Sequence, residues 1–281
     1  MIPSLTSLKE ELFDEKKCIN FLFNKKIIKK IRICPICNSQ IYRDHKMFKC
    51  RNRECNHSVS IFSNTFFSRN QIHCSDVMLI GYLWLNKSNH TMIQKTTGFS
   101  QNTITKYIKL LRDLIIENLD DNDEIIGGRG VVVEIDESMF TNRKGENGIW
   151  IIGGVERTLK KKCFFKIVKN RDKKTIRDIV RKHVGRSFIV MTDQWKGYHN
   201  LQKLNVRHFT VNHSKNFVDR RTGAHTNNIE ATWSALKSQI RTRNRTEDLI
   251  NDYLLEFIWR RKHKNHLWRS FLDAIRQINN E

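Results

Sequence analysis

Val131-Val-Val-Glu-Ile-Asp-Glu-Ser138, introduced by Gly127-Gly128 and Gly130, is a β-branched run of one strand's length that carries three acids at its end. Such a density of valine and isoleucine predicts a strand covered on both faces. The two-residue period puts Glu134, Asp136 and Ser138 on one face and Val133, Ile135 and Glu137 on the other. A carboxylate there is costly to bury unless it is paired, hydrogen-bonded or bound to a metal. Asp136 lies well inside the run and is therefore a candidate metal ligand. The plainer alternative is an acid that meets water where a strand ends.

Working outward toward the C-terminus, Gly148 to Val155 and Lys162 to Val168 read as antiparallel partners of this strand. Residues 175 to 184 read as a helix, and Phe188-Ile-Val-Met-Thr-Asp193 is a second apolar strand ending in an acid. A helix around 198 to 204, a strand over 207 to 211 and two closing helices, about 228 to 243 and 247 to 264, follow. Three antiparallel strands followed by alternating helices and strands is the order of an α/β RNase H-like catalytic domain, assigned to residues 128 to 281. In that order the first and fourth strands are neighbours, so Asp136 and Asp193 face one another beyond strand ends, where open sheets gather their active groups. Two close carboxylates repel unless a cation lies between them, and hard oxygen ligands suit Mg2+ or Mn2+. Glu230 is the candidate third ligand. Its helix places Ile229, Trp233, Leu236 and Ile240 on an apolar side, with Glu230, Ser234, Lys237 and Arg241 in a neighbouring row. Locally, Asn227-x-x-Glu230 reads equally well as a capping box that satisfies a helix N-terminus.

Toward the N-terminus, residues 1 to 32 form a helical segment in which Leu5, Leu8, Leu12 and Phe13 have helical spacing. Residues 33 to 68 contain Cys34-Pro-Ile-Cys37 and, after a short strand-forming insert, Cys50-Arg-Asn-Arg-Glu-Cys55. Two close pairs brought together by a hairpin predict an α+β zinc ribbon with structural Zn2+ on four thiolates. His57 is an alternative to Cys55, and a redox Cys-x-x-Cys lacks its usual βαβ setting here. Cys18, Cys74 and Cys163 stand alone and read as small buried apolar residues. Residues 69 to 124 are all-α. Ser75-Asp76 can cap one helix, and a short helix from Thr91, a turn at Gly98 and a Ser100-capped second helix have helix-turn-helix spacing. Gln101, Asn102, Thr105 and Lys106 are then free to face a DNA groove.

Lys and Arg number 51 against 29 Asp and Glu, a formal charge of +22 spread through most of the chain. So large a positive field makes a polyanion, with nucleic acid foremost, the expected partner, and a membrane surface the weaker alternative. No run reaches the ~18 apolar residues of a membrane span. Met1-Ile-Pro-Ser lacks a signal-peptide pattern, so the expectation is an intracellular protein with reduced thiols.

Five strings carry a resemblance. They are Val133-Glu-Ile-Asp136-Glu with Thr192-Asp193-Gln-Trp-Lys-Gly-Tyr198 and Val211-Asn-His213-Ser; His225-Thr-Asn-Asn-Ile-Glu230-Ala-Thr-Trp233; and Tyr253-Leu-Leu-Glu256-Phe-Ile-Trp259-Arg260. Over about 33 to 265 the chain resembles the transposases of the Merlin superfamily and their bacterial insertion-sequence relatives with an ISXO-type transposase domain. The histidine-to-tryptophan string is the most specific part. The resemblance implies a cut-and-paste DNA transposase whose catalytic triad falls on Asp136, Asp193 and Glu230. It departs from the family at Met139-Phe-Thr-Asn-Arg-Lys-Gly145, where relatives are often glycine-rich. His213 and His225 are candidates to touch the scissile phosphate or orient a carboxylate, with packing as the alternative role. Lys237, Arg241, Arg243, Arg245 and Arg260 are candidate DNA-backbone contacts. Double-stranded DNA, as terminal inverted repeats and target, is the implied partner, bound by a homodimer or larger assembly with no membrane involved. Nucleus or bacterial cytoplasm would house it. The rival readings are a domesticated transposase acting as a DNA-binding regulator and an RNase H-like nuclease or resolvase.

Overall fold

A computed structural model describes residues 1–68, 70–141, 148–185, 189–204, 206–212, 218–219 and 222–278. The chain divides into two compact units, one of residues 1–118 with 263–281 and the other of residues 119–262.

In the first unit a turn of 3-10 helix leads into α1 (Lys9–Phe13) and α2 (Glu15–Asn24). Strands β1 (Ile41–Asp44), β2 (Met47–Cys50) and β3 (Ser58–Ser60) form an antiparallel sheet in that order. Helices α3 (Cys74–Leu85), α4 (His90–Thr97) and α5 (Gln101–Glu117) follow. α3 is buried almost throughout, since apolar residues run along its length and not along one stripe. It starts two residues earlier than a Ser75 cap would place it and carries no local side-chain cap. Its first amides instead donate to Glu15 of α2, Ser75 N to Oε2 at 3.0 Å and Cys74 N to Oε1 at 3.3 Å. The turn between α4 and α5 is made by Gly98 at φ 75°, a left-handed conformation that costs glycine nothing, and Ser100 Oγ accepts from Thr103 N to start α5.

The second unit is built on a five-stranded sheet. β4 (Val132–Phe140), β5 (Ile149–Glu156) and β6 (Cys163–Val168) are an antiparallel meander, then come α6 (Lys173–His183), β7 (Ile189–Asp193), a 3-10 segment Lys196–Leu204 and β8 (Arg207–Val211). The order is β6-β5-β4-β7-β8, with β7 parallel to β4 and β8 parallel to β7. Helices α7 (Asn227–Gln239) and α8 (Glu247–Lys262) complete it. Val133 and Ile135 of β4 join Phe164, Ile176, Val180, Tyr198 and Leu201 in the core against α6 and the 3-10 segment. On the other face Phe140, Ile151 and Phe165 pack with Trp233 and Leu236 of α7 and Leu254 and Phe257 of α8. The central strand is therefore covered on both sides, as its composition predicts.

Two expectations need correction. α7 ends at Gln239 and not near 243, because Arg245 turns back to cap it, donating from Nη2 to Lys237 O at 2.8 Å and from Nε to Ile240 O at 3.1 Å. The chain also closes on a third helix, α9 (Leu267–Ile278), which belongs to the first unit, so the second compact unit ends at residue 262 and not at 281. The reason is packing: α9 buries Trp268, Phe271, Leu272 and Ile275, and the Trp268 ring meets Tyr82 of α3 edge-on at 5.8 Å.

Candidate active site and metal centre

The acids of the second unit gather where β4 and β7 stop pairing. The last paired residues are Glu134 and Met191, and Asp136 and Asp193 each lie two positions beyond. Asp136 is half-buried, accepts from Trp233 Nε1 at 3.1 Å, and is pushed up to about 7 by burial and by the charges of Glu137 and Asp193. Asp193 Oδ1 accepts from Trp195 N at 2.9 Å, which fixes the turn out of β7. Glu137 points to the opposite face. There it accepts from the Tyr198 hydroxyl and lies 3.4 Å from Arg171 Nη1, whose guanidinium is stacked 3.4 Å from the Trp150 ring centre. Burial raises the Glu137 carboxyl above its ordinary range, against the Tyr198 hydrogen bond.

Glu230 is exposed on the first turn of α7 and accepts from Thr226 Oγ1 at 2.7 Å. The capping-box alternative is not what forms, because Asn227 is already inside the helix and Thr226 precedes it without a side-chain cap. The helix amides go to Glu134, which shares a face of β4 with Asp136 and has no signal in its local spacing for this role. Glu134 is fully buried; its Oε2 accepts from Asn228 N at 2.7 Å and Ile229 N at 3.0 Å. Its Oε1 accepts from Arg157 Nε at 2.6 Å and Asn228 Nδ2 at 2.7 Å. His225 Nδ1 lies 3.5 Å from the same oxygen, and the His225 carbonyl accepts from Arg157 Nη2 at 2.7 Å. His225 is thus placed in the Glu134–Arg157 cluster. Burial and Arg157 hold its imidazolium form below the usual histidine range. His213, and residues 142–147 of the stretch that departs from the glycine-rich pattern, lie outside the described residues.

The basic candidates divide. Lys237, Arg241 and Arg243 are exposed, and the Lys237 ammonium lies 5.4 Å from the Phe140 ring centre. Burial and Arg245 lower its pKa, while Asp136 opposes the shift. Arg260 departs from the expectation of a backbone contact, because it is buried in α8 and ion-paired with Glu256 at 2.7 Å. In the first unit Gln101, Asn102, Thr105 and Lys106 all lie on the exposed side of α5.

The four cysteines form a separate centre. Cys34 and Cys55 sulfurs are 3.8 Å apart and those of Cys37 and Cys50 are 3.4 Å apart. A tetrahedron with Zn–S bonds of about 2.3 Å has edges of about 3.8 Å, so the set fits zinc. Asn38 and Asn56, directly after Cys37 and Cys55, take the left-handed backbone (φ 57° and 43°) that wraps each pair. Cys37 is lowered to about 6 by hydrogen bonds from Ser39, and Cys50 is raised to about 12 by burial. Among the described residues this is the one group of three or more His, Cys, Asp or Glu side chains whose ligand atoms all lie within 4.8 Å. The three acids are less tightly drawn together. Their charge nevertheless suits a hard cation, since burial and the charges of Glu137 and Asp193 raise Asp136 despite its hydrogen bond from Trp233. The remaining thiols, Cys18, Cys74 and Cys163, are free and buried.

A family model described as the ISXO2-like transposase domain matches residues 122–262. Among solved structures the chain is similar to one in the cryoEM structure of the simian T-cell lymphotropic virus intasome in complex with PP2A regulatory subunit B56 gamma. That likeness has 14% identity, covers 67% of this chain and 68% of that one, and has a TM-score of 0.35. No curated protein matches this chain.

Proposed function

This chain belongs to the family of ISXO2-like transposase domains, and on that premise we propose that it is a cut-and-paste DNA transposase. Its second unit would be an RNase H-like catalytic domain with Asp136, Asp193 and Glu230 as the acidic triad. The observation that carries the reading is the placement of Asp136 and Asp193 at the ends of adjacent parallel strands, with Asp136 pushed up to about 7. Glu230 would join them by turning from Thr226. Together the three would hold Mg2+ or Mn2+, which when bound lowers the pKa of the attacking hydroxyl and stabilises the leaving oxygen. Trp233 orients Asp136, and Trp195 N orients Asp193. Lys237, Arg241 and Arg243 supply charge for the DNA backbone, a salt-dependent and sequence-neutral affinity.

In the first step water forms a bond to the scissile phosphorus and the P–O3′ bond breaks, leaving a 3′-hydroxyl on the element. In the second that hydroxyl attacks a target phosphodiester and displaces the target's own 3′-oxygen. The cysteine centre and the α4–α5 pair would bind the terminal inverted repeats, with Gln101, Asn102, Thr105 and Lys106 reaching base edges. Both ends must be held together, so a dimer or larger assembly on DNA is part of the proposal.

The test is strand cleavage of a duplex carrying the repeat that flanks the gene, with Mg2+ or Mn2+, for wild type and Asp193→Ala. Cutting at the repeat boundary that disappears in the variant supports the enzyme. Tight repeat binding without cutting in either protein points instead to a regulator. Cutting that ignores the repeat points to a nuclease.

A further inference from the structure

We infer that Glu134, which is outside the acidic triad, is the positioning residue for Glu230, an inference that rests on the metal-site reading of the three acids. Glu134 and Asp136 share a face of β4, two residues apart, so their Cα atoms are spaced by about 6.6 Å along the strand. α7 contacts both: its amides at Asn228 and Ile229 sit on Glu134, and Trp233 Nε1 sits on Asp136. From Ile229 to Trp233 a helix rises about 6 Å, so the two anchors match in pitch and can be made at once. Glu230 lies between them. The helix that carries the third acid is therefore referenced at both points to the strand that carries the first.

The Glu134 end is built to hold. The fully buried carboxylate accepts two helix amides, the Asn228 amide group and Arg157 Nε, and Arg157 in turn binds the carbonyl of His225 just ahead of the helix. An ionised carboxylate at the positive end of a helix is favourable, and Arg157 neutralises it where water is excluded. In this arrangement His225 acts as part of the anchor. Groups that orient a metal-ligating side chain commonly affect metal affinity as strongly as some ligands do.

The test uses the full chain and Mn2+ as probe. Glu134→Gln is compared with wild type, and a double variant, Glu134→Gln with Arg157→Gln, removes both charges of the pair so that no unpaired ion opposes folding. Hydrogen exchange is read at Asn228 and Ile229, and Mn2+ affinity by titration. The expected result is faster exchange in the first turn of α7, protection retained in β5 and β6, and Mn2+ binding weakened about tenfold or more. Wild-type protection at Asn228 and Ile229 in both variants overturns the inference. So does faster exchange with unchanged Mn2+ affinity, which leaves Glu134 a structural anchor only. A wild-type chain whose Mn2+ binding is indifferent to Glu230→Gln sinks the metal-site reading itself, and is told apart because it appears without any change at Glu134.

Discussion

Trp233 Nε1 donates to Asp136 Oδ2 at 3.1 Å, so the indole of α7 reaches across the sheet to orient the carboxylate at the centre of the acidic site. The ring is otherwise a packing group, 5.3 Å from Phe165 and 6.1 Å from Phe140 between ring centres. Trp233→Phe keeps most of the packing and removes the donor. The expected cost is about 1 kcal/mol of stability for the lost hydrogen bond, plus cavity effects. The larger effect should be on function, with divalent-ion affinity and cleavage rate down about tenfold. Equal loss in a thermal melt and no change in ion dependence would make Trp233 a core residue and nothing more.

Gly153 is the cross-strand partner of Asp136, and its missing side chain makes room for that indole. A Cβ there would lie 2.6 Å from Trp233 Cη2 and 2.9 Å from Phe165 Cδ1. Neither ring can yield freely in a packed core, so Gly153→Ala should destabilise by about 1–3 kcal/mol. Because the ring is pushed from the Asp136 side, the same variant should weaken Mg2+ binding and shift tryptophan fluorescence. A variant with wild-type melting would show that α7 can slide without cost.

Asp136 contributes a pH-dependent part of the stability of the metal-free chain. Its carboxyl is raised from an ordinary 3.8 to about 7, so between these values the folded state binds the proton more tightly than the unfolded state. The Asp136 contribution to stability must then fall as pH rises through that window, with its whole penalty present above about 7. Glu137, also raised, acts in the same sense. Asp136→Asn keeps an acceptor for Trp233 and removes the charge. It should melt higher than wild type at about pH 8 without divalent ions, by about 1 kcal/mol or more, while losing cleavage. Wild-type ion affinity should rise over the same pH range as the proton leaves. A metal-free variant no more stable than wild type at that pH would mean that neither burial nor the charges of Glu137 and Asp193 strain Asp136.

The strand at 131–138 announced both its burial and its acids, because β-branched density and a two-residue period are local properties of sequence. Asp136 and Asp193 could be paired in advance for the same reason: each ends an apolar run, and β4 and β7 then lie side by side. What escaped were the side-chain contacts that cap a helix from a remote element. Ser75-Asp76 and Asn227-x-x-Glu230 both looked like helix starts with local caps, yet α3 is capped by Glu15 and α7 by Glu134. A remote carboxylate leaves no spacing signal, although an acid inside an apolar strand is a reason to ask what neutralises it. Arg260 is a different case. Its charge was visible in sequence, but its burial against Glu256 follows from how α8 packs.

The cysteine centre should be separable from the acidic one. In the metal-free chain Cys37 is lowered to about 6 and Cys50 raised to about 12, so the sulfurs share protons that a bound zinc must displace. Zinc affinity should therefore fall as pH drops, in proportion to the protons displaced. The three-stranded sheet has little core of its own: Phe48 is buried against Phe23 of α2 at 6.2 Å, and few other large side chains of β1–β3 are covered. Chelation, or Cys50→Ser, should unfold residues 33 to 60 and abolish repeat binding, whereas the sheet of residues 119–262 should keep its melting transition. One zinc per chain by metal analysis, and thiolate charge-transfer bands on Co2+ substitution, would identify the ligands. If zinc-free protein retained both its fold at β1–β3 and its affinity for the repeat, the centre would have no structural role.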